Sequence, residues 1–172
     1  MGFEALGFPH RSTILRVAVC MPARSLVVQF QVQTDRDPSR RLFTRRFDEK
    51  RYHALAPHEE AHDIESLTPS PTTPHVYFNR FIWKDWDGDW GRNPDGLYRV
   101  HCESGAVECL LSRSEGFVSK ILGISGDGAS LYVVGSSTTP GTDGCRIDYG
   151  VAELDLATLE MRPLTALQAM FV

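Results

Sequence analysis

One strand pattern occurs three times in this chain and organises almost all of it. The clearest copy comprises residues 121–128, 131–135, 149–156 and 161–164. Each of these runs is apolar or alternating and is bounded by turn residues, which predicts the order strand, turn, strand, loop, strand, turn, strand. The copy therefore predicts one four-stranded antiparallel sheet built from consecutive strands.

Two earlier copies align with this one strand by strand. Their second, third and fourth strands are residues 25–30, 41–48 and 51–55 in the first copy, and residues 75–78, 96–103 and 106–110 in the second. The copies begin roughly fifty residues apart, a period typical of propellers and repeat arrays. Because one such sheet cannot bury both of its faces alone, it needs neighbouring sheets.

Residues 124–135 and 150–156 resemble the repeats of TolB-like and lactonase-like β-propellers. The resemblance covers roughly residues 14–167 and implies an all-β fold of three four-stranded antiparallel blades. The expected organisation is an N-terminal segment at 1–13, a single domain at 14–167 with blades at about 14–56, 63–112 and 118–167, and a C-terminal tail at 168–172.

Three blades are too few to close a ring, since propellers usually have about four to eight. An open arc leaves an apolar blade face exposed at each end, which favours association. We therefore expect half of a six-bladed ring that a two-fold homodimer closes, because such dimers are the commonest homo-oligomers. A different protein that supplies the missing blades, and a compact three-sheet sandwich that is not a ring, are the alternatives.

The composition of the chain restricts the kinds of partner and the cellular location that we expect for it. The net charge of −4 and the interspersed signs argue against nucleic-acid binding. No apolar run approaches the length of about 18 residues that a membrane-spanning helix needs. The first residues include an acid and do not follow the basic-then-apolar plan of a secretory signal, which predicts a cytoplasmic protein.

The four cysteines do not predict a disulfide framework. Cys102 and Cys109 belong to one hairpin, where we expect them to be diagonal neighbours about 7–8 Å apart, too far for a relaxed disulfide. Cys20 and Cys145 have no evident partner. The prediction is four reduced, mostly buried thiols.

The middle copy has an unusual segment at residues 83–96, predicted to be a loop on the binding face. Within it, Asp85, Asp87 and Asp89 alternate like the oxygen ligands of a calcium loop. The pattern departs from that motif because no glutamate stands at the twelfth position. A calcium site is one interpretation of this segment, and the sequence does not firmly indicate any cofactor.

The same segment holds all three tryptophans of the chain. Trp86 and Trp90 could stack on a ligand while Arg92 pairs with an anion, which makes a ligand-binding platform the second interpretation. A structural or dimer-contact segment is the favoured interpretation, since aromatic residues are enriched at interfaces.

A second motif lies between the first two copies. His58 and His62 belong to an H-E-x-x-H sequence, which on a helix places two histidines on one face to bind zinc. Pro57 precedes the motif, and the repeat leaves room for only a short helical turn. A solvated inter-blade helix with Pro57 in its first turn is the alternative.

The sequence does not assemble a nucleophile, a base and an orienting group, nor does it contain a phosphate-binding loop. The leading hypothesis is a non-enzymatic scaffold or a module that binds a small molecule or a protein, and that self-associates to complete the ring. Its binding face is expected at residues 57–63, 83–96 and 136–146. The alternative is a metal-dependent hydrolase, lactonase-like or of the zinc type, with its site on the same inter-blade loop face.

Overall fold

The computed structural model describes residues 12–33, 38–55, 63–86, 89–112, 117–141 and 144–167, with side chains left undescribed at residues 12, 32–40, 63, 82–94, 117, 136–149 and 166–167. These residues form thirteen β-strands: β1 (Ser12–Cys20), β2 (Ser25–Gln33), β3 (Pro38–Arg46), β4 (His53–Leu55), β5 (Asp63–Ile64), β6 (Thr68–Pro69), β7 (His75–Trp86), β8 (Asp89–His101), β9 (Val107–Ser112), β10 (Phe117–Ile124), β11 (Ser130–Gly141), β12 (Gly144–Asp155) and β13 (Met161–Leu167). No stretch of these residues makes a helix that is long and apolar enough to cross a membrane.

The strands form three antiparallel sheets in chain order. Sheet 1 is β1-β2-β3-β4, sheet 3 is β10-β11-β12-β13, and sheet 2 is β7-β8-β9 preceded by β5 and β6, which both pair with β7. The first strand of sheet 2 is thus broken into two short pieces, and Pro69 within the second piece has no N–H to give to a ladder. The predicted all-β fold with three four-stranded antiparallel units is confirmed.

The sheets stack face to face, with sheet 2 in the middle. One apolar core joins sheets 1 and 2 and includes Val27 and Leu42 on one side and Phe78 and Val100 on the other. A second core joins sheets 2 and 3 and includes Leu97 and Leu131 among others. We call the face that a sheet turns toward the next sheet its forward face, and the opposite one its rear face.

Polar contacts reinforce the junction between sheets 2 and 3. The fully buried Asn79 donates from Nδ2 to the carbonyl oxygen of Ser119 over 2.7 Å. Ser66 Oγ accepts a 3.3 Å hydrogen bond from the Ile121 backbone N–H. Both forward and rear faces of sheet 2 are therefore covered by neighbours within the chain.

Of the cysteines whose side chains are described, Cys20 and Cys102 are buried and free, and Cys109 is free but exposed. The prediction that Cys102 and Cys109 are diagonal neighbours is wrong, because Cys109 lies opposite Tyr98. Cys102 lies in the turn after β8, because the pairing of β8 with β9 ends at Val100 and Val107. Cys145 lies outside the described side chains.

Candidate functional site

The segment at 83–96, predicted to be a loop, is instead part of a β-hairpin. β7 and β8 remain paired as far as Trp86 and Asp89, with only residues 87–88 between them. The flanking strands stop earlier, since β5 reaches Phe81 and β9 reaches Gly96. Residues 82–86 and 89–93 therefore extend beyond the sheet as a two-stranded ribbon, which we call the sheet 2 arm.

Sheet 3 has an equivalent ribbon. The predicted loop at 136–146 is wrong as well, because β11 and β12 pair as far as Gly141 and Gly144. The flanking strands end opposite Ser136 and Tyr149. Residues 137–141 and 144–148 form the sheet 3 arm. Both arms lie between the second and the third strand of their sheets, so they leave the stack at the same end of the strands. Such two-stranded ribbons are marginal on their own, so contacts made by an arm decide how firmly it is held.

The predicted ligand residues lie on the sheet 2 arm. In the backbone register Asp85 is opposite Trp90, and Trp86 is opposite Asp89. The side chains of Asp87 and Arg92, like those of the other predicted arm ligands, are outside the described set. The calcium site and the stacking platform therefore remain predictions.

The zinc motif is untested too. His58 and His62 lie in the stretch between β4 and β5 that is outside the described residues. Within the part of the chain that the structure describes, no group of three or more His, Cys, Asp and Glu side chains could hold a metal ion. The metal-dependent hydrolase stays an alternative hypothesis.

A compact charged cluster, which the sequence reasoning missed, fixes the base of the sheet 2 arm. Arg80 Nε donates to Asp95 Oδ2 over 2.5 Å, and Tyr98 OH donates to the same oxygen over 2.8 Å. Arg80 Nη2 lies 2.6 Å from the Tyr98 oxygen, and the guanidinium carbon stands 4.2 Å from the centre of the Tyr98 ring. Only the β7–β8 register brings these residues together, because Arg80 and Asp95 have no recognisable spacing in the sequence.

The cluster holds the base of the sheet 2 arm in place and is poorly suited to exchange protons near neutral pH. Burial raises the pKa of Tyr98 well above the ordinary value of a phenol, and the hydrogen bond to Asp95 raises it further. The phenol therefore stays protonated near neutral pH and acts as a donor. Side-chain exposure of 14% for Arg80 and 24% for Asp95 makes this a largely desolvated ion pair, which needs such supporting hydrogen bonds to be retained.

Strand registers show that the three sheets use equivalent positions to pack on one another. Val27 of sheet 1 and Tyr77 of sheet 2 occupy the same place in the repeat, and each is buried in the core formed with the following sheet. The equivalent residue of sheet 3 is Tyr132, which is only half-buried. The forward face of sheet 3 thus has the layout of a packed face but has no following sheet among the described residues.

The rear face of sheet 1 is exposed in part. Val17 is 53% exposed and lies opposite Val28, while Val19 is 45% exposed and lies opposite Leu26. The β2–β3 part of this face is different, since Val28 is buried there in a small cluster with two phenylalanines. The exposed apolar part of the rear face is therefore its β1 half.

Sheet 3, the last of the three stacked sheets, also has exposed apolar residues. Leu122, at a bulge in β10, is 52% exposed, while its neighbour Ile121 is buried against sheet 2. Leu164 in β13 is also exposed. Large exposed apolar surfaces on a soluble protein commonly mark association sites.

Charged side chains lie on both of these faces. Arg45 lies opposite Leu26 on the rear face of sheet 1, and its Nε is buried without a hydrogen-bond partner. Glu153 lies opposite Tyr132 on the forward face of sheet 3, where it pairs with Arg162. The hydrogen bond from Arg162 lowers the pKa of Glu153, so this face carries a carboxylate at neutral pH.

A scan against protein-family models finds no matching family, and a search of curated proteins finds no match either.

Proposed function

We propose that this chain is a half-propeller that binds a second copy of itself and serves as a non-enzymatic scaffold or recognition module. The observation that carries the proposal is the equivalence of faces. Among the described residues a forward face packs on a rear face twice, and the forward face of sheet 3 and the β1 half of the rear face of sheet 1 have no such neighbour. A second copy offers the same two surfaces.

Two-fold symmetry lets both leftover pairs form at once. The forward face of sheet 3 of each copy meets the rear face of sheet 1 of the other, and six sheets close into a ring. A contact between two rear faces would instead bring Arg45 of one copy near Arg45 of the other, which like-charge repulsion disfavours.

Closure would also define where a ligand or a protein partner binds. The sheet 2 and sheet 3 arms of both copies would surround one end of the ring. On this proposal Trp86, Trp90 and Arg92 supply the recognition groups, and Asp85, Asp87 and Asp89 supply any calcium site. A ligand that contacts the arms of both copies would hold the arms in place. Its binding would in this way be coupled to closure of the ring.

Light scattering coupled to size exclusion tests the proposal. We expect the purified protein at micromolar concentration to have twice the 19.3 kDa mass of one chain, because two junctions form together. A stable 19.3 kDa species at that concentration would overturn self-association. A mass that keeps rising with protein concentration would overturn closure, since it would indicate open head-to-tail chains.

A further inference from the structure

The turns at one end of sheet 1 differ from the equivalent turns of the other two sheets. We call residues 21–24, between β1 and β2, and residues 47–52, between β3 and β4, the turn end of sheet 1. A 2.8 Å hydrogen bond from the Phe47 backbone N–H to the carbonyl oxygen of Arg24 joins the two turns. They therefore form one continuous surface, at the end of the strands opposite to the arms.

Two large apolar side chains are exposed on this surface. Met21 is 64% exposed and Phe47 is 41% exposed. Neither side chain belongs to a core cluster of the described residues. Tight turns require residues such as Gly, Pro, Asn, Asp and Ser, and neither Met nor Phe has such a role. The fold itself therefore does not account for the two apolar side chains at these positions.

The turn end of sheet 1 also carries an excess of positive charge. Its two acids are engaged by neighbouring residues, since Asp48 Oδ1 lies 3.5 Å from Arg46 Nε and Glu49 Oε2 lies 3.3 Å from His53 Nε2. The cations of the two turns are exposed and form no ion pair with another described residue: Arg24, Lys50 and Arg51. Their charge is thus available to an anionic partner.

The equivalent turns of sheets 2 and 3 show what the fold requires at this end. These turns are residues 70–74, 102–106, 125–129 and 156–160. None of them contains a basic residue or an exposed large apolar side chain. Their charged residues are acids, and Asp127 stabilises its own turn by accepting hydrogen bonds from Ser125 Oγ over 2.6 Å and from the Ala129 backbone N–H over 3.0 Å. The features of the turn end of sheet 1 are therefore additions to what a turn of this repeat needs.

We propose that the turn end of sheet 1 docks the protein on an anionic lipid bilayer. Met21 and Phe47 enter the boundary between the headgroups and the acyl chains, the depth at which amphipathic surfaces bind. Arg24, Lys50 and Arg51 pair with the phosphates and carboxylates of the lipid headgroups. The site requires no second copy of the chain, so it does not depend on ring closure.

The backbone of the two turns favours a bilayer over an acidic peptide as the occupant. The Arg24 N–H donates to the carbonyl oxygen of Met21 over 3.0 Å, and the Glu49 N–H donates to that of Arg46 over 3.2 Å. A peptide that adds to a sheet pairs with free backbone groups at its edge, whereas these N–H groups are already used within the turns. Apolar and basic side chains on adjacent turns suit a flat, deformable anionic surface.

Co-sedimentation with lipid vesicles tests the proposal on the wild-type chain. We expect binding to phosphatidylcholine vesicles that contain about one-third phosphatidylserine and no binding to pure phosphatidylcholine vesicles, because the cations need anionic headgroups. Raising the salt concentration should weaken the binding, since exposed charges are screened. Failure to sediment with the phosphatidylserine vesicles at low salt would overturn the proposal.

Matched variants separate this surface from the rest of the chain. Lys50→Gln is expected to weaken vesicle binding about fivefold, the effect of one cation near an anionic surface. Lys120→Gln, which removes an exposed cation of β10, should have no effect. Met21→Ser should weaken binding at unchanged charge, whereas Val107→Ser should not.

Three results with these proteins would contradict lipid docking. Equal affinities of Lys50→Gln and Lys120→Gln would remove the cations of the turn end from the site. Undiminished binding of Met21→Ser would remove the apolar insertion. Binding of the wild-type chain to soluble polyglutamate, with none to the phosphatidylserine vesicles, would identify an acidic protein as the partner instead.

Discussion

If the proposed dimer forms, replacing Val17 with aspartate is expected to convert it into a monomer. Val17 is 53% exposed on the rear face of sheet 1, so the single chain tolerates a charge there. In the ring, each of the two junctions would bury that carboxylate against the forward face of the other copy. An uncompensated buried charge costs about 3–5 kcal/mol, and every 1.4 kcal/mol or so is a tenfold change in affinity.

The matched control is Val107→Asp. Val107 is 39% exposed on β9 of sheet 2, the sheet whose two faces are already covered within the chain. Sedimentation velocity at equal concentrations should show a monomer for Val17→Asp and an unchanged dimer for Val107→Asp, with the same β-sheet circular dichroism for both. Equal masses for the two variants would remove the rear face of sheet 1 from the interface.

Replacing Gly96 with alanine is expected to destabilise the chain by about 1–3 kcal/mol, the usual cost of forcing extra volume into a packed site. A Cβ atom at this position would stand 2.6 Å from the carbonyl oxygen of Leu111 and 3.1 Å from the Tyr98 ring. Leu111 belongs to the paired strand β9, so its backbone cannot move without weakening the ladder. Tyr98 is held by Arg80 and Asp95, which limits its movement too.

Gly123→Ala serves as the comparison, because a Cβ there would have no atom within 4 Å. Urea unfolding should place Gly123→Ala within about 0.5 kcal/mol of wild type and Gly96→Ala clearly below it. Similar losses for both variants would show that glycine in these strands matters only through β propensity, and that the close approach of β9 to Gly96 is not limiting.

Much of the fold can be predicted from the sequence because each sheet is a meander of consecutive strands. The second strands beginning at Ser25, His75 and Ser130 are adjacent in the chain to the strands they pair with, so local alternation and turn residues suffice. The arms were missed although Asp87-Gly88 between apolar runs is a strong hairpin signal. Reading the acidic residues as a metal loop obscured that signal.

Contacts between sheets could not be predicted from the sequence in the same way. The contact of the Cys20 sulfur with the carbonyl oxygens of Thr73 and His75 depends on how the turn ends of two sheets dock, and no local pattern encodes it. The Arg80, Asp95 and Tyr98 cluster depends on a register shift after Arg80 that places one extra residue in β8. The exposed faces of sheets 1 and 3 were predicted only because the first and the last copy of the repeat each have a neighbouring copy on one side alone.

The most direct test of the proposed forward-to-rear pairing is a mixing experiment with two blocked variants. Val17→Asp blocks the rear face of sheet 1, and Leu122→Asp blocks the forward face of sheet 3, where Leu122 is 52% exposed. Each variant alone should be monomeric, because a blocked face stands in both junctions. Mixed in equal amounts they should form a one-to-one complex through the one junction that joins two intact faces. Failure to associate on mixing, or a full dimer from either variant alone, would contradict the pairing.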